Sequence, residues 1–394
     1  MRKSSIAFAV VTDSDGFRAL EDDWNKLSDS LRPAHFFQIF NWCWLAWQHV
    51  SSRRGRRLRL LVGRVDGRVV LIWPLMVVGP FLRFLGSDLF EYHDVLVLPG
   101  PQRSAWLKAA LRAAKKLGGA ALLLRHVRQD ADLATFLLPQ KIGGRSNTAE
   151  RSWLIRLDEF SGWQGYLAAL PQHLRSDQRR QWRRLAALSS PARFEVVENC
   201  DDQLALVQWM LAEKIKWLEA RGGAAGELFT STEYRDFLHG VVPALARENS
   251  VMTCRLAAGE ENIAASLGFI HRNHFFFFIF TYDPKWASFS PGRLLMSKVI
   301  EWCFEHRMET FDMAWSGDDY KSVWSNGQLS VGDHLIPLTV EGRIIETWHG
   351  TGCSRFFARP WFKTVARCAP ASVRRAIGGR LGSNAKLIAD MRPR

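Results

Sequence analysis

Five consecutive residues carry the most suggestive chemistry in this 394-residue chain. Ser290-Pro291-Gly292-Arg293-Leu294 reads as a helix start, because serine is a favoured N-cap and proline is preorganised at the first helical position. A helix N-terminus leaves backbone N–H groups unpaired and carries partial positive charge. Gly292 would let a ligand approach that backbone, and Arg293 adds a cation, so the segment suits a pyrophosphate. The plainer reading is a well-capped helix. The strand expected before it, 275–282, ends in Thr281-Tyr282, and the strand expected after it, 310–314, carries Asp312. Gly317, Tyr320, Lys321 and Trp324 follow. A second candidate is the helix around 176–188. There Arg175, Arg179 and Arg183 recur at i, i+4 and i+8, beside Arg180 and Arg184 and a thin apolar seam of Leu174, Trp182 and Leu185. This is either a solvated face or a surface for an acidic acceptor, a lipid-linked sugar phosphate or RNA.

Other chemistries find no pattern. The six cysteines (43, 200, 254, 303, 353 and 368) form no C-x-x-C pair and no spacing with histidine that suits zinc, so no metal is expected. His271 and His274 are close but have no third ligand, and read as structural histidines. Walker, dinucleotide and Ser/His/Asp patterns are absent from the sequence. Sparse cysteine points to a reducing compartment. The start, Met1-Arg2-Lys3 and the run Ile6–Val11, imitates a signal peptide, but the run is short and Asp13 and Asp15 follow at once. The apolar run 69–78 is interrupted by Pro74 and is shorter than the ~20 residues a spanning helix needs. A cytoplasmic protein is expected.

The net charge of +14 would suggest nucleic acid if it were evenly spread. It is not: ten basic residues lie between 355 and 394 against one acidic residue, Asp390. In that tail Phe356, Phe357, Trp361 and Phe362 alternate with Arg355, Arg359 and Lys363. Such a segment is either a disordered basic tail or one that lies on an anionic membrane surface, at the inner face of the membrane.

The elements that must position these residues repeat one plan. Helical stretches at 17–50, including an aromatic run with Phe40, Trp42, Trp44 and Trp47, precede a hairpin of 58–65 and 68–78 around Asp66-Gly67. A strand at 92–98, a helix at 105–117 and a strand at 120–127 complete the first half. The second half has helices at 203–220 and after Ser231, then a hairpin of 251–257 and 263–270. A strand at 275–282, a loop, a helix at 291–306 and a strand at 310–314 follow. The plan predicts an α/β fold of two tandem lobes, each a mixed, mostly antiparallel sheet flanked by helices. The boundary is placed near 150, in a polar loop at 143–151. That gives a first lobe at 1–150, a second at 151–348 and a tail at 349–394, with each half long enough to bury its own core.

The segments Ser290-Pro291-Gly292-Arg293-Leu294-Leu295, Phe311-Asp312 and Gly317-x-x-Tyr320-Lys321-x-x-Trp324 resemble the acetyltransferase family linked to bacterial cellulose and exopolysaccharide synthesis. So, in the first half, do Phe36-Phe37, Trp42 through Trp47, Trp73-Pro74-Leu75, Phe84-Leu85-Gly86-Ser87 and Tyr92-x-Asp94. That family belongs to the GNAT superfamily and is related to the Fem-type transferases, which also have two GNAT lobes. The resemblance implies acyl transfer from acetyl-CoA or another acyl-CoA to an amine, on a small-molecule or lipid-linked acceptor such as an amino sugar. The pantetheine would lie along 275–282, and Tyr282, Ser290, Gly292, Arg293 and Leu294 would hold the donor. Such chemistry needs a base for the amine, a donor to the oxyanion and a proton for the leaving sulfur. Asp312 is the candidate base or amine anchor, Tyr320 the acid, and Lys321, matching a Fem-type lysine, the charge for an anionic donor or the oxyanion. Arg175, Arg179 and Arg183 would bind substrate. Where GNAT proteins carry Q/R-x-x-G-x-G/A, this chain has one glycine. Two other readings follow: a Fem-type transferase with aminoacyl-tRNA as donor, the one case in which nucleic acid is a partner, and a non-catalytic scaffold in polysaccharide synthesis.

Overall fold

Asp66 and Gly67 both adopt the left-handed conformation, with φ of 49° and 82°. Two such residues in succession give the primed turn whose twist matches that of paired strands. They join β2 (Arg56–Val65) to β3 (Arg68–Val78), the centre of the first lobe. The computed structural model describes residues 5–31, 33–52, 55–87, 89, 91–140, 145–220, 227–315 and 320–350. The basic tail and Gly317 of the loop motif lie outside them.

The first lobe opens with β1 (Ala7–Val11) and three short helices, α1 (Ser14–Arg18), α2 (Glu21–Ser28) and α3 (Phe40–Ala46). After β2 and β3 come β4 (Phe81–Phe84), β5 (Leu96–Val97), α4 (Arg103–Ala114), β6 (Ala121–Arg128) and α5 (Asp132–Gln140). The second lobe runs through β7 (Arg145–Arg156), α6 (Trp163–Ala169), α7 (Gln172–Ala186), β8 (Ala192–Val197), α8 (Cys200–Ala220), α9 (Glu227–Thr230) and α10 (Thr232–Ala246). It continues with β9 (Val251–Ala258), β10 (Glu261–His271), β11 (His274–Tyr282), α11 (Pro291–Glu305), β12 (Thr310–Trp315) and α12 (Tyr320–Trp324). Last come β13 (Gly327–Pro337) and α13 (Val340–Gly350). No helix among the described residues is long and apolar enough to cross a membrane.

All strands but β5, which pairs with β3, lie on one path, β1-β2-β3-β4-β6-β13-β7-β12-β11-β10-β9-β8. Outward from its middle this path reads the same way twice. β13 and β7 pair antiparallel at the centre, each is flanked by the last long strand of a lobe, β6 or β12, and each lobe has one parallel pair, β4 with β6 and β11 with β12. The irregularities repeat too. β6 bulges between Leu124 and Val127, with His126 at φ 51°, and β12 bulges between Asp312 and Trp315, with Ala314 at φ 58°. A positive φ is uncommon outside glycine. Its recurrence at matching places marks the two lobes as versions of one unit, and the predicted α/β plan of two mixed, helix-flanked lobes holds.

Three expectations change. The polar loop placed at 143–151 is, from Arg145, the start of β7; Glu150 and Arg151 are exposed, so the apolar alternation that marks a strand is missing there. The second lobe does not hold the rest of the chain, because β13 returns to pair with β6 of the first lobe. Of the strand expected at 92–98 only Leu96–Val97 pairs.

The cores are not separate either. One apolar layer packs α4 and α5 on the first lobe's sheet, and another packs α6, α7 and α11 on the second. The third lies between the lobes, with α1–α3 on one side and α8 and α10 on the other. The aromatic run at 36–47 forms this seam: the Trp42 ring lies 4.9 Å from that of Phe269 and 5.1 Å from that of Phe237. Burying each such ring contributes roughly 1.5–3 kcal/mol, so the lobes hold one another in place.

Gly268 in β10 connects this packing to the parallel strands. A Cβ there would come within 2.1 Å of the Phe275 ring, which stacks at 5.3 Å on Phe311 of β12. Gly268→Ala should therefore destabilise the protein by about 1–3 kcal/mol, as overpacking does, measured as a lower urea midpoint with an unchanged slope.

Candidate functional site

β11 and β12 run side by side for three residue pairs only, His274 with Thr310, Phe275 with Phe311 and Phe276 with Asp312. Beyond them β11 continues to Tyr282, paired on its other side with β10. The bulge at Ala314 turns β12 towards β7 instead, where Trp315 meets Ser152. The strands thus splay, and among the described residues no strand lies against the β12-facing edge of β11 past Phe276. An unpaired strand edge offers N–H and C=O groups to a ligand.

Asp312 sits at the point of the splay and is fully surrounded. Its Oδ1 accepts from Tyr92 Oη at 2.7 Å and from the Ala314 N–H at 2.8 Å. Its Oδ2 accepts from Arg128 Nη1 at 2.9 Å. Ser152 Oγ is 2.7 Å from the Tyr92 hydroxyl, and the Arg128 guanidinium, held at its far side by Asp130, lies 4.9 Å over the Tyr92 ring. Burial raises the Asp312 pKa, opposed by the Arg128 charge and the Tyr92 hydrogen bond. Burial lowers that of Arg128, but Asp130 and Asp312 outweigh it and the group is held charged. Burial, then the Asp312 charge, raises the Tyr92 phenol well above its usual range, so it stays a neutral donor. With both oxygens occupied, Asp312 is an anchor between lobes, and the base role expected for it does not fit this geometry.

The first lobe closes the site with the segment 91–95. Gln38 Nε2 donates to the Tyr92 carbonyl at 2.8 Å, and the His93 N–H donates to the His126 carbonyl at 3.2 Å. The Asp94 carboxylate accepts from the N–H groups of Val95, Asp132 and Leu133, and so caps α5. This explains why the segment pairs only at Leu96–Val97: single contacts from Gln38, His126 and the Asp94 carboxylate fix it in place of a continuous strand ladder. His35 Nε2 lies 3.0 Å from Asp94, and Arg103 pairs with Asp132. The His35, Asp94 and Asp132 ligand atoms lie close enough for an ion. Three backbone donors and a guanidinium already occupy the carboxylates, so the cluster reads as a helix cap.

Glu91 precedes Tyr92. With Phe37, Tyr92, Phe276, Phe277, Phe278, Asp312 and Ala314 it lines a crevice at the mouth of the splay that is too tight to hold a water molecule. Its carboxylate makes no hydrogen bond or ion pair among the described residues. Burial raises its pKa to about 7, with Lys321 lowering it and Asp312 raising it. The sequence reading missed Glu91. Its one signal was its position before the Tyr92-x-Asp94 motif.

Lys321 is buried, with Nζ donating to the Met313 carbonyl, and so reaches the end of β12. Tyr320 at the start of α12 is exposed. Of the residues expected to hold a donor, Ser290 adopts φ 52° and makes no side-chain cap bond. Its Oγ instead accepts from Arg293, which also pairs with Asp177 of α7. The expected serine cap is absent because the left-handed turn points that hydroxyl elsewhere. Gly292 has a packing reason, since a Cβ would come 2.5 Å from the Phe280 ring. Leu294 points into the core, and Tyr282 is partly buried at the end of β11. The helix start therefore lies directly beside β11.

On α7 the buried face is Leu174, Gln178, Gln181 and Leu185, so Leu174 and Leu185 of the expected seam are buried, Trp182 is only partly so, and two glutamines join them; Ser297 donates to Gln178 at 3.0 Å. Arg179 and Arg183 are exposed and, with Ser176 and Trp182, line an open depression, while Arg175 is partly buried. Arg184 is the arginine that reaches the turn before α11, donating to the Ser288 carbonyl at 2.9 Å with its guanidinium 4.3 Å over Phe289.

Comparison with known proteins agrees with this geometry. Residues 172–322 match the family model described as an acetyltransferase (GNAT) domain. No curated protein matches the sequence. Among solved structures, FemX superposes with a TM-score of 0.59 at 12% identity, covering 83% of this chain and 98% of that one. A tandem GNAT protein from the clavulanic acid biosynthesis pathway gives 0.50 at 13%, covering 85% and 99%. The C-terminal domain of a putative lysylphosphatidylglycerol synthetase from Agrobacterium fabrum gives 0.51 at 12%, covering 83% and 96%. At such identities the likeness speaks for the fold. The fold is thus one of two GNAT-like lobes, and the match to an acetyltransferase domain, which supports a transferase, lies in the second.

Removing Arg128 would leave Asp312 buried without its cation. Arg128→Ala should cost about 3–5 kcal/mol in chemical denaturation, and the double variant Arg128→Ala/Asp312→Asn should recover part of that loss.

Proposed function

We propose that this chain is an N-acyltransferase that moves an acyl group from acyl-CoA, acetyl-CoA first among them, to an amine. The splay of β11 from β12 carries the reading. It leaves a strand edge for an amide-bearing arm such as pantetheine, and it points that arm at the cleft where the lobes meet. The pyrophosphate lies at the start of α11, over Ser290, Gly292 and Arg293, with the Leu294 backbone closing the turn and Tyr282 at the edge of β11. In the first lobe the matching strand β4 is only four residues long, so the donor belongs to the second lobe and the first shapes the acceptor cleft.

In the reaction the amine nitrogen attacks the thioester carbon, the C–S bond breaks, and the thiolate leaves with a proton. Lys321 supplies positive charge for the developing oxyanion or an anionic donor group, and Tyr320 is assigned the proton for the sulfur. The acceptor is an amino sugar or related envelope or exopolysaccharide precursor, free or lipid-linked, as the resemblance of the motifs implies. The fold shared with a lysylphosphatidylglycerol synthetase domain favours the lipid-linked form. The basic, aromatic tail at 355–394 suits peripheral contact with the inner face of an anionic membrane, and Arg175, Arg179 and Arg183 suit an anionic acceptor. Likeness to FemX keeps one second reading, an aminoacyl-tRNA donor.

Calorimetric titration with acetyl-CoA, CoA and longer acyl-CoAs tests the donor. Micromolar binding is expected, weakened at least tenfold in Arg293→Glu. Binding that ignores this charge reversal removes the pyrophosphate site, and binding of aminoacyl-tRNA but of no CoA species moves the assignment to the second reading.

A further inference from the structure

We propose that Glu91, carried into the second lobe's site by the first lobe, is the general base that takes the proton from the acceptor amine. The inference rests on the acyl-transfer reading above. The reaction needs a carboxylate or imidazole at the mouth of the splay, and the described residues place two carboxylates there, Asp312 and Glu91. Asp312 is spent on Arg128, Tyr92 and the Ala314 N–H. Among the described residues Glu91 makes no hydrogen bond or ion pair.

Its setting suits the task. A base works best when its pKa lies near the working pH. The groups facing Glu91 are Lys321 of α12, which favours the carboxylate, Asp312 of β12, which disfavours it, and Tyr234 of α10, whose own pKa Glu91 raises. Burial is the largest influence and, opposed by Lys321 and aided by Asp312, raises the Glu91 pKa to about 7. The backbone that carries it is fixed on three sides, by Gln38 at Tyr92, by His126 at His93 and by the Asp94 cap. The proton balance is complete. Ionised Glu91 accepts one proton from the ammonium form of the acceptor. The freed lone pair attacks the thioester carbon, and the second N–H proton leaves with the thiolate as thiol.

Two measurements on the full chain test this. The first is thiol release from acetyl-CoA with D-glucosamine as the probe amine, followed from pH 5.5 to 9. The wild type should show a rate rising through about pH 7. Glu91→Gln should bind acetyl-CoA with unchanged affinity, lose at least 100-fold in rate and lose that rising limb, while Glu91→Asp should keep part of the rate. Glu91→Gln retaining both rate and limb overturns the proposal. Loss of acetyl-CoA binding by the wild type overturns the donor reading instead. The second measurement needs no acceptor. Because the folded pKa lies above the unfolded one, the carboxyl lowers stability as pH rises from about 4.5 to about 7. Glu91→Gln should then melt higher than wild type at pH 8 but not at pH 4.5. Equal melting differences at both pH values overturn the assignment of that titration to Glu91.

Discussion

The buried ion pair between Arg128 and Asp312 is the constraint on which the site depends. It joins the last strand of one lobe's first sheet half to the corresponding strand of the other, across 184 residues of chain. A buried pair of charges is weak evidence for stability, since desolvation offsets much of the attraction. Here it fixes geometry instead. Asp312 holds the bulge at Ala314 through its N–H, and the bulge turns β12 away from β11. It also holds Tyr92, and with it the neighbouring Glu91, against the opened edge. One carboxylate therefore sets both the width of the splay and the position of the segment facing it.

The duplication of the bulge shows how this arose from a symmetric plan. In the first lobe the bulge N–H of His126 is accepted by Asp333 of β13, a residue from the far end of the chain. In the second lobe the matching N–H is accepted by the bulged strand's own Asp312. Each lobe thus uses a carboxylate to stabilise the same positive-φ turn. Only in the second is that carboxylate at the head of a long open strand edge, because β11 runs on for six residues past Phe276. The symmetry is of backbone; the chemistry is not symmetric.

Much of this was legible in sequence. The hairpins at 58–78 and 251–270, the Phe-rich strand at 275–282 and the helix after Pro291 follow from local periodicity and turn chemistry, and so does the two-lobed α/β plan. β13 was not legible: Gly327, Gly332 and Asp333 break its alternation, and its partners lie at 121–128 and 145–154. Asp312 was readable as important, but its role was not, since Arg128 and Tyr92 carry no mark that they will converge on it. Ser290 and Gly292 drew attention for a phosphate, whereas Arg293 and the Phe280 ring account for their local contacts. Glu91 was hidden because its segment reads as a strand, while capping by Asp94 makes it a rigid arm into the neighbouring lobe.

The most direct test of the central claim is hydrogen exchange of the backbone amides with and without acetyl-CoA, read by mass spectrometry. A donor in the splay should slow exchange in peptides covering 277–282 and 290–294, with little change in 81–84 and 121–128. Protection confined to the first-lobe peptides, or absent from 277–282 while acetyl-CoA is bound, would contradict the account.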